Sequence, residues 1–374
     1  MFERVLTGGL LIDPASGTHE HLDVAIEEGR IAAVGSNLAS LGKAVEDLHG
    51  AIVVPGLVDL HTHLYPGGSD LGVDADAACL AAGVTTAIDA GSAGMVRYGT
   101  FETEVVRSST TRVLGFVNLS SLGLPTDDGT ELRNMRHVNV EGAARTVRER
   151  SSCIGIKVRL GQQMVSGVGA RPLRAAVRAA ELADCPVMVH VTNPGIPLAE
   201  ILAALRPGDI VTHVMHGTGE TILDGDHVRE DILQAQAAGV IMDVGHGATS
   251  FCSLTARRAI DGGFVPNTIS TDLHTGNVRG PVFDLPTTMS KLLALGLTLD
   301  QVIAAATVHP ARAIGESSIG TLRVGASADL AVMLLRNGPV TFIDGRERAF
   351  EGTRRLEVVQ TLKSGRVAHP PDRL

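Results

Sequence analysis

One pattern recurs eight times along this chain: an apolar, strand-like run, then enough polar and Ala-rich sequence for a loop and a helix. The runs fall at residues 52–60, 84–89, 112–119, 154–160, 186–191, 209–214, 240–244 and 268–273. Parallel strands need a crossover of a dozen or more residues between them, and each gap here supplies one. Helices are expected at 139–150, 170–183, 198–205 and 228–238. Gly83 and Gly239 each follow an Ala-rich stretch and read as helix stops. Eight β/α units over about 220 residues predict an α/β fold with a (β/α)8 TIM-like barrel over 53–318. A doubly wound open sheet is the rival. It would gather polar groups at one crevice, whereas here they stand at the C-terminal end of nearly every run.

The flanks break this rhythm. Residues 1–52 hold short strands with turn signals at Gly8-Gly9, Asp13-Pro14 and Glu28-Gly29-Arg30. Residues 319–374 resume that style, with 358–362 as the last strand and Lys363-Ser364-Gly365-Arg366-Val367 after it. Neither flank has strands enough to hide its edges alone, so both ends are expected to form one small β-sandwich.

The strand ends carry the chemistry. The first run ends in His61-Thr62-His63, and residues i and i+2 of a strand share a face. Both imidazoles can then reach one metal ion. Later runs end in Lys157, His190, His213 and Asp272. Four imidazoles and a carboxylate on one barrel face suit zinc, or a similar ion such as manganese or iron. Lys157 has two readings. Its ammonium, which has no lone pair, pairs with an acid at the rim; or a buried, neutral amine takes up carbon dioxide to become a carbamate.

Other residues also carry two readings. Arg159 shares a strand face with Lys157 and either clamps a substrate carboxylate or makes a rim salt bridge. His246, between Gly245 and Gly247, is expected to touch substrate, because glycines let backbone approach a ligand closely. Tyr65 and Asn118 are candidate substrate contacts or ordinary loop hydrogen-bonders. His274 is a supporting or structural group, and Asp89 anchors a loop. His216 and His309 read as structural; His19, His21, His49, His137, His227 and His369 read as solvated.

These segments resemble the amidohydrolase superfamily, and within it the dihydroorotase-like amidohydrolase/deacetylase group. The resemblance is carried by Pro55-Gly56-Leu57-Val58-Asp59-Leu60-His61-Thr62-His63, Gly83-Val84-Thr85-Thr86, Gly155-Ile156-Lys157-Val158-Arg159 and Asp243-Val244-Gly245-His246-Gly247. It is most specific over Thr268-Ile269-Ser270-Thr271-Asp272-Leu273-His274 with Gly280-Pro281-Val282-Phe283-Asp284-Leu285-Pro286. The resemblance implies two divalent metal ions, zinc by preference, with Lys157 carbamylated between them. It implies an enzyme that cleaves an acyl ester or amide of a small carboxylate-bearing substrate through a metal-bridging hydroxide, with Asp272 as general acid/base. The alternative within the resemblance is a cyclic-amide hydrolase of the dihydroorotase/hydantoinase kind. True dihydroorotases place an arginine soon after His-x-His; this chain has Leu64-Tyr65-Pro66-Gly67 there. A non-catalytic binding protein on the same scaffold is a third reading, which the complete donor set disfavours.

Composition removes other classes. Net charge is −9 without a basic run, so nucleic acid is not an expected partner. No apolar run of about 18 residues is present, nor a signal-peptide core at the start, so no membrane role and a cytoplasmic location are expected. The four cysteines lack close spacing and are expected as reduced, mostly buried thiols. A small-molecule substrate and homo-oligomeric assembly complete the expectations.

Overall fold

A computed structural model describes residues 1–369; residues 370–374 and the His369 side chain lie outside what it describes. Seven strands form one parallel sheet in sequence order: Leu57–Thr62, Val84–Gly94, Arg112–Asn118, Cys153–Arg159, Val187–His190, Ile210–Thr212 and Ile241–Asp243. The eighth expected strand does not form as one. Residues 268–273 instead touch both edges of the sheet by single parallel bridges, Asp243 to Thr268 and Thr62 to Leu273. Val244 N donates to Thr268 O on one side, at 3.0 Å, and His63 N to Leu273 O on the other, at 2.9 Å. The segment is extended, but Asp272 takes a positive φ of 51°, which breaks a strand ladder.

The strand expected over 52–60 is two strands. Ile52–Pro55 pairs with Leu330–Ile343, and only Leu57–Thr62 enters the parallel sheet. Gly56 is the joint: a Cβ there would stand 2.2 Å from Thr85 Oγ1, so only glycine admits the crossing.

Both chain ends build the flanking sheets. One sheet of four strands runs Arg30–Gly35, Asp23–Glu27, Phe2–Thr7, Gly42–Asp47. The other, of six, combines Leu10–Asp13, Thr18–His21 and Ile52–Pro55 with Leu330–Ile343, Ala349–Lys363 and Arg366–His369. Leu6, Val24 and Ile26 of the first sheet meet Leu11, Val53, Leu330 and Val359 of the second in one buried cluster. The sequence reading missed the long hairpin 330–363 and saw only its ends.

Helices cover the parallel sheet, and local caps fix where they begin. Asn139 accepts from Gly142 N at the start of Val140–Glu149, and Asp284 from Thr287 N at the start of Leu285–Ala294. Expected helices over 170–183, 198–205 and 228–238 form as Arg171–Ala183, Leu198–Ala204 and Glu230–Ala237. Among the described residues no helix is long and apolar enough to cross a membrane.

Candidate metal centre

Four sheet strands and the 268–273 segment bring their last residues to one cavity of about 320 Å³. His61, His63, Lys157, His190, His213 and Asp272 all line it. Asp272 Oδ1 lies 3.3 Å from His61 Nε2 and 3.2 Å from His63 Nε2; its Oδ2 lies 4.0 Å from His213 Nε2. The His190 ring stands 4.4 Å from the His213 ring.

Hydrogen bonds behind the rings decide which nitrogens face inward. His213 Nδ1 lies 2.6 Å from the Gly245 carbonyl, which can only accept, so Nδ1 carries the proton. Its Nε2 then presents a lone pair, and that atom is buried without a partner. Thr212 gives its one hydroxyl hydrogen to Asp243 Oδ2 at 2.7 Å, so it accepts from His61 Nδ1 at 2.9 Å. His61 Nε2 is thereby also a lone pair. Asp243 is held in turn by Thr268 and Ser270 hydroxyls, each at 2.6 Å. Burial depresses the basicity of His61 and His190 well below the usual imidazole range and that of His213 to about 4, so these rings are neutral near pH 7.

Donor atoms of His61, His213 and Asp272 lie within 4.8 Å of one another. Inward lone pairs facing a carboxylate repel unless a cation sits between them. The donor set therefore fits a divalent ion of zinc type. The backbone is strained at two of these donors. His213 at φ 74° and Asp272 at φ 51° hold left-handed conformations that cost side-chain-bearing residues about 1–3 kcal/mol.

Lys157 is 1% exposed. Its Nζ lies 3.1 Å from His61 Nε2 and 3.3 Å from Met188 Sδ. Among the described residues no carboxylate pairs with it within 4.0 Å, so the rim salt bridge allowed by the sequence is not formed. Burial lowers its pKa to about 7, which makes neutral amine available near neutrality.

The expected substrate contacts fare differently. His246, Tyr65 and Asn118 do not line the cavity. His246 is turned away: Nδ1 meets Gly247 O at 2.9 Å and Nε2 meets Lys291 Nζ at 2.8 Å, with the ring stacked on Phe251. The flanking glycines bring backbone close to the donors instead, since a Cβ on Gly247 would stand 2.7 Å from Asp272 Oδ2. Tyr65 is a core ring against Phe101, beneath Arg97. Asn118 donates to Gly91 O at 3.0 Å and accepts from Ser120 N at 2.8 Å, so its amide is committed to the loop. Arg159 lines the cavity but is already paired. Glu131 takes its Nε and Nη2 at 2.6 and 3.0 Å, and Asp127 takes Nη1 at 2.9 Å.

Sequence reasoning left the cavity wall unnamed: Gln162, Gln163, Thr192, Asn193 and Ser250 are there. His274 is there too, with Nδ1 accepting from Gly276 N at 3.0 Å, which leaves Nε2–H as a donor. Its position two residues past Asp272 was read as that of a supporting or structural group, and the structure places it on the cavity wall. Asp89 anchors a loop, as read, accepting from Leu64 N and Ser92 N.

The amidohydrolase family model matches residues 52–368. A deacetylase of Agrobacterium fabrum is 36% identical over 309 residues, covering 82% of this chain and 76% of the relative. A crystal structure of a dihydroorotase superposes with a TM-score of 0.90 at 32% identity, covering 98% of this chain and 99% of the other. One of an adenine deaminase does so with a TM-score of 0.90 at 29% identity and the same coverage.

Proposed function

The chain belongs to the amidohydrolase family, and from that premise we propose that it is a binuclear metal-dependent acyl hydrolase of deacetylase type. Its substrate is a small carboxylate-bearing ester or amide, and its scaffold a (β/α)8-type barrel in which the 268–273 segment stands in the place of an eighth strand. One observation carries the reading: neutral imidazoles His61 and His213 aim lone pairs at Asp272 beside the buried amine of Lys157.

Two divalent ions, zinc by donor chemistry, would be held by His61, His63, His190, His213, Asp272 and Lys157 as its carbamate. Such ions polarise an acyl oxygen and make water nucleophilic at neutral pH. Carbamylation forms a bond from Lys157 Nζ to the carbon of carbon dioxide and releases a proton, a step favoured where the amine is already neutral. Asp272 takes the proton of the attacking water and returns it to the departing oxygen or nitrogen. Thr212 at His61 Nδ1 and Ser92 at His63 Nδ1, 2.9 and 2.8 Å away, fix the planes of these two rings and keep their Nε2 atoms facing the cavity. His274 Nε2–H is placed to orient the acyl or acid group.

The deacetylase relative supports acyl cleavage, and the missing arginine after His63 weighs against dihydroorotate. Cyclic-amide hydrolysis is the second reading, favoured by the likeness to a dihydroorotase structure. A panel of N-acetyl and O-acetyl 2-amino and 2-hydroxy acids, run against dihydroorotate and hydantoin, decides between them. The proposal expects cleavage of the acetylated acids and no useful cleavage of the ring amides. Far faster cleavage of either ring would overturn it.

A further inference from the structure

Arg159 and Lys157 are the only Lys or Arg residues among the described residues lining the cavity. Lys157 lies among the proposed metal donors, so among the described lining residues Arg159 is the cationic side chain outside that donor set that a substrate carboxylate can meet. Yet all three guanidinium nitrogens already donate to carboxylates. The two acids that use them differ sharply. The Glu131 side chain is 6% exposed, binds Nε and Nη2 as a bidentate pair, and fixes the plane of the group. The Asp127 side chain is 48% exposed, makes one bond to Nη1, and itself lines the cavity. It also lines an adjoining outer cavity with Asp70, Asp128 and His274, so its carboxylate stands between the metal donors and solvent.

We infer that Asp127 occupies the seat of the substrate's carboxylate on Arg159 Nη1 and is displaced when substrate binds. Glu131 is the permanent partner and Asp127 the exchangeable one. A buried bidentate pair is costly to break, because it strands a desolvated charge. A single bond to a half-exposed carboxylate is worth little, and its acid regains water on leaving. The exchange conserves the pair: one carboxylate leaves Nη1 as another arrives, and Arg159 is never left with Glu131 alone. Asp127 thereby sets the affinity for anionic substrates without touching the metal donors. It also keeps the guanidinium aimed inward before substrate arrives.

The inference rests on the proposed carboxylate-bearing substrate, and its test separates the two. Affinities for 2-hydroxypropanoate and its uncharged counterpart 2-hydroxypropanamide are measured by calorimetry on the protein as purified, native and Asp127→Asn. Neither probe carries an acetyl group, and recovery of the amide intact after each titration is checked by chromatography. Asp127→Asn should bind the acid about tenfold more tightly, as removal of a competing like charge at a partly screened site predicts. The amide should change by less than about twofold. Asp127→Ser should repeat the result, which guards against a new contact made by the asparagine amide. Equal shifts for acid and amide, or weaker acid binding in both variants, would overturn the inference, since Asp127 would then merely support the loop. Tighter binding of the amide than of the acid by the native protein would also overturn it, since Asp127 would then exclude carboxylates. If no acetylated acid is cleaved by native protein, the hydrolase reading fails, while the binding ratios still decide the role of Asp127.

Discussion

At the scale of single residues, the account turns on which atoms face the cavity. Asp272 stands within 4.0 Å of His61, His63 and His213, which is where the proposed proton transfer to a leaving group needs a carboxylate. Asp272→Asn should keep the fold and lower turnover by about 10²-fold or more, as loss of an acid–base group does. Turnover close to native in a well-folded variant would assign proton transfer elsewhere. Behind the donors, Asp243 fixes His61 through the Thr212 hydroxyl. An asparagine amide at 243 would point donor hydrogens at hydroxyls that now donate, and the relay would lose its direction. Metal affinity, titrated against a competing chelator, should fall about 10–100-fold in Asp243→Asn; unchanged affinity would contradict the relay. The gathering of the six candidate donors at one cavity was legible in the sequence because each stands at or near the end of an apolar run, where strand geometry fixes a direction. Asp127 and Glu131 were not: they reach Arg159 from a loop about 30 residues earlier, and no local periodicity reports such a pairing. His246 misled because Gly-His-Gly shows that backbone comes close to something. It does not show that the something is His213 and Asp272 rather than a ligand.

At the scale of elements, the hairpin formed by Leu330–Ile343 and Ala349–Lys363 reaches the cavity wall through its turn. Asp344 Oδ2 accepts from Ser253 N and Oγ, both at 2.8 Å, and Gly345 N donates to Phe251 O at 2.9 Å. Those bonds tie down the loop bearing Ala248, Thr249 and Ser250, which line the cavity. Asp344→Ala leaves two buried Ser253 donors unpaired and should cost about 1–3 kcal/mol of stability, read from denaturant midpoints. KM should rise, because the wall is released while the metal donors stay in place. An unchanged midpoint with unchanged KM would show that the hairpin turn is not a support. Sequence reading found the runs that hold the seven parallel strands, and four of the helices, because their apolar content is continuous. It missed the hairpin because Asn337-Gly338-Pro339 reads as a turn. The strand runs through it, absorbing the misfit as a register shift between Asn337 and Val340. It also read 52–60 as one strand, because Val53, Val54, Leu57 and Val58 are apolar on both sides of a joint that only packing reveals.

At the scale of the whole molecule, five buried imidazoles govern the response to acid. His213 and His216 are lowered to about 4 and His246 to about 3, chiefly by burial, with His61 and His190 also well below 6.5. The unfolded chain binds these protons at about 6.5 and the folded chain does not, so stability falls as pH drops from about 6.5 toward 4. Three buried carboxyls act in the opposite sense: burial raises Asp59 to about 7 and also raises Asp243 and Asp284. Five rings outweigh three carboxyls, so denaturant midpoints should decline from pH 7 to pH 5; a flat or rising trend would show that the rings are charged in the native state. The same neutral rings are what a cation requires, which joins the acid response to the central claim. That claim is that six side chains, with Lys157 as its carbamate, would hold two divalent ions. Elemental analysis of protein prepared with metal and bicarbonate tests it most directly. The account predicts about two divalent ions per native chain and about one or fewer in Lys157→Met. A reproducible value near zero in the native protein after supplementation, or two ions held equally well without Lys157, would contradict it.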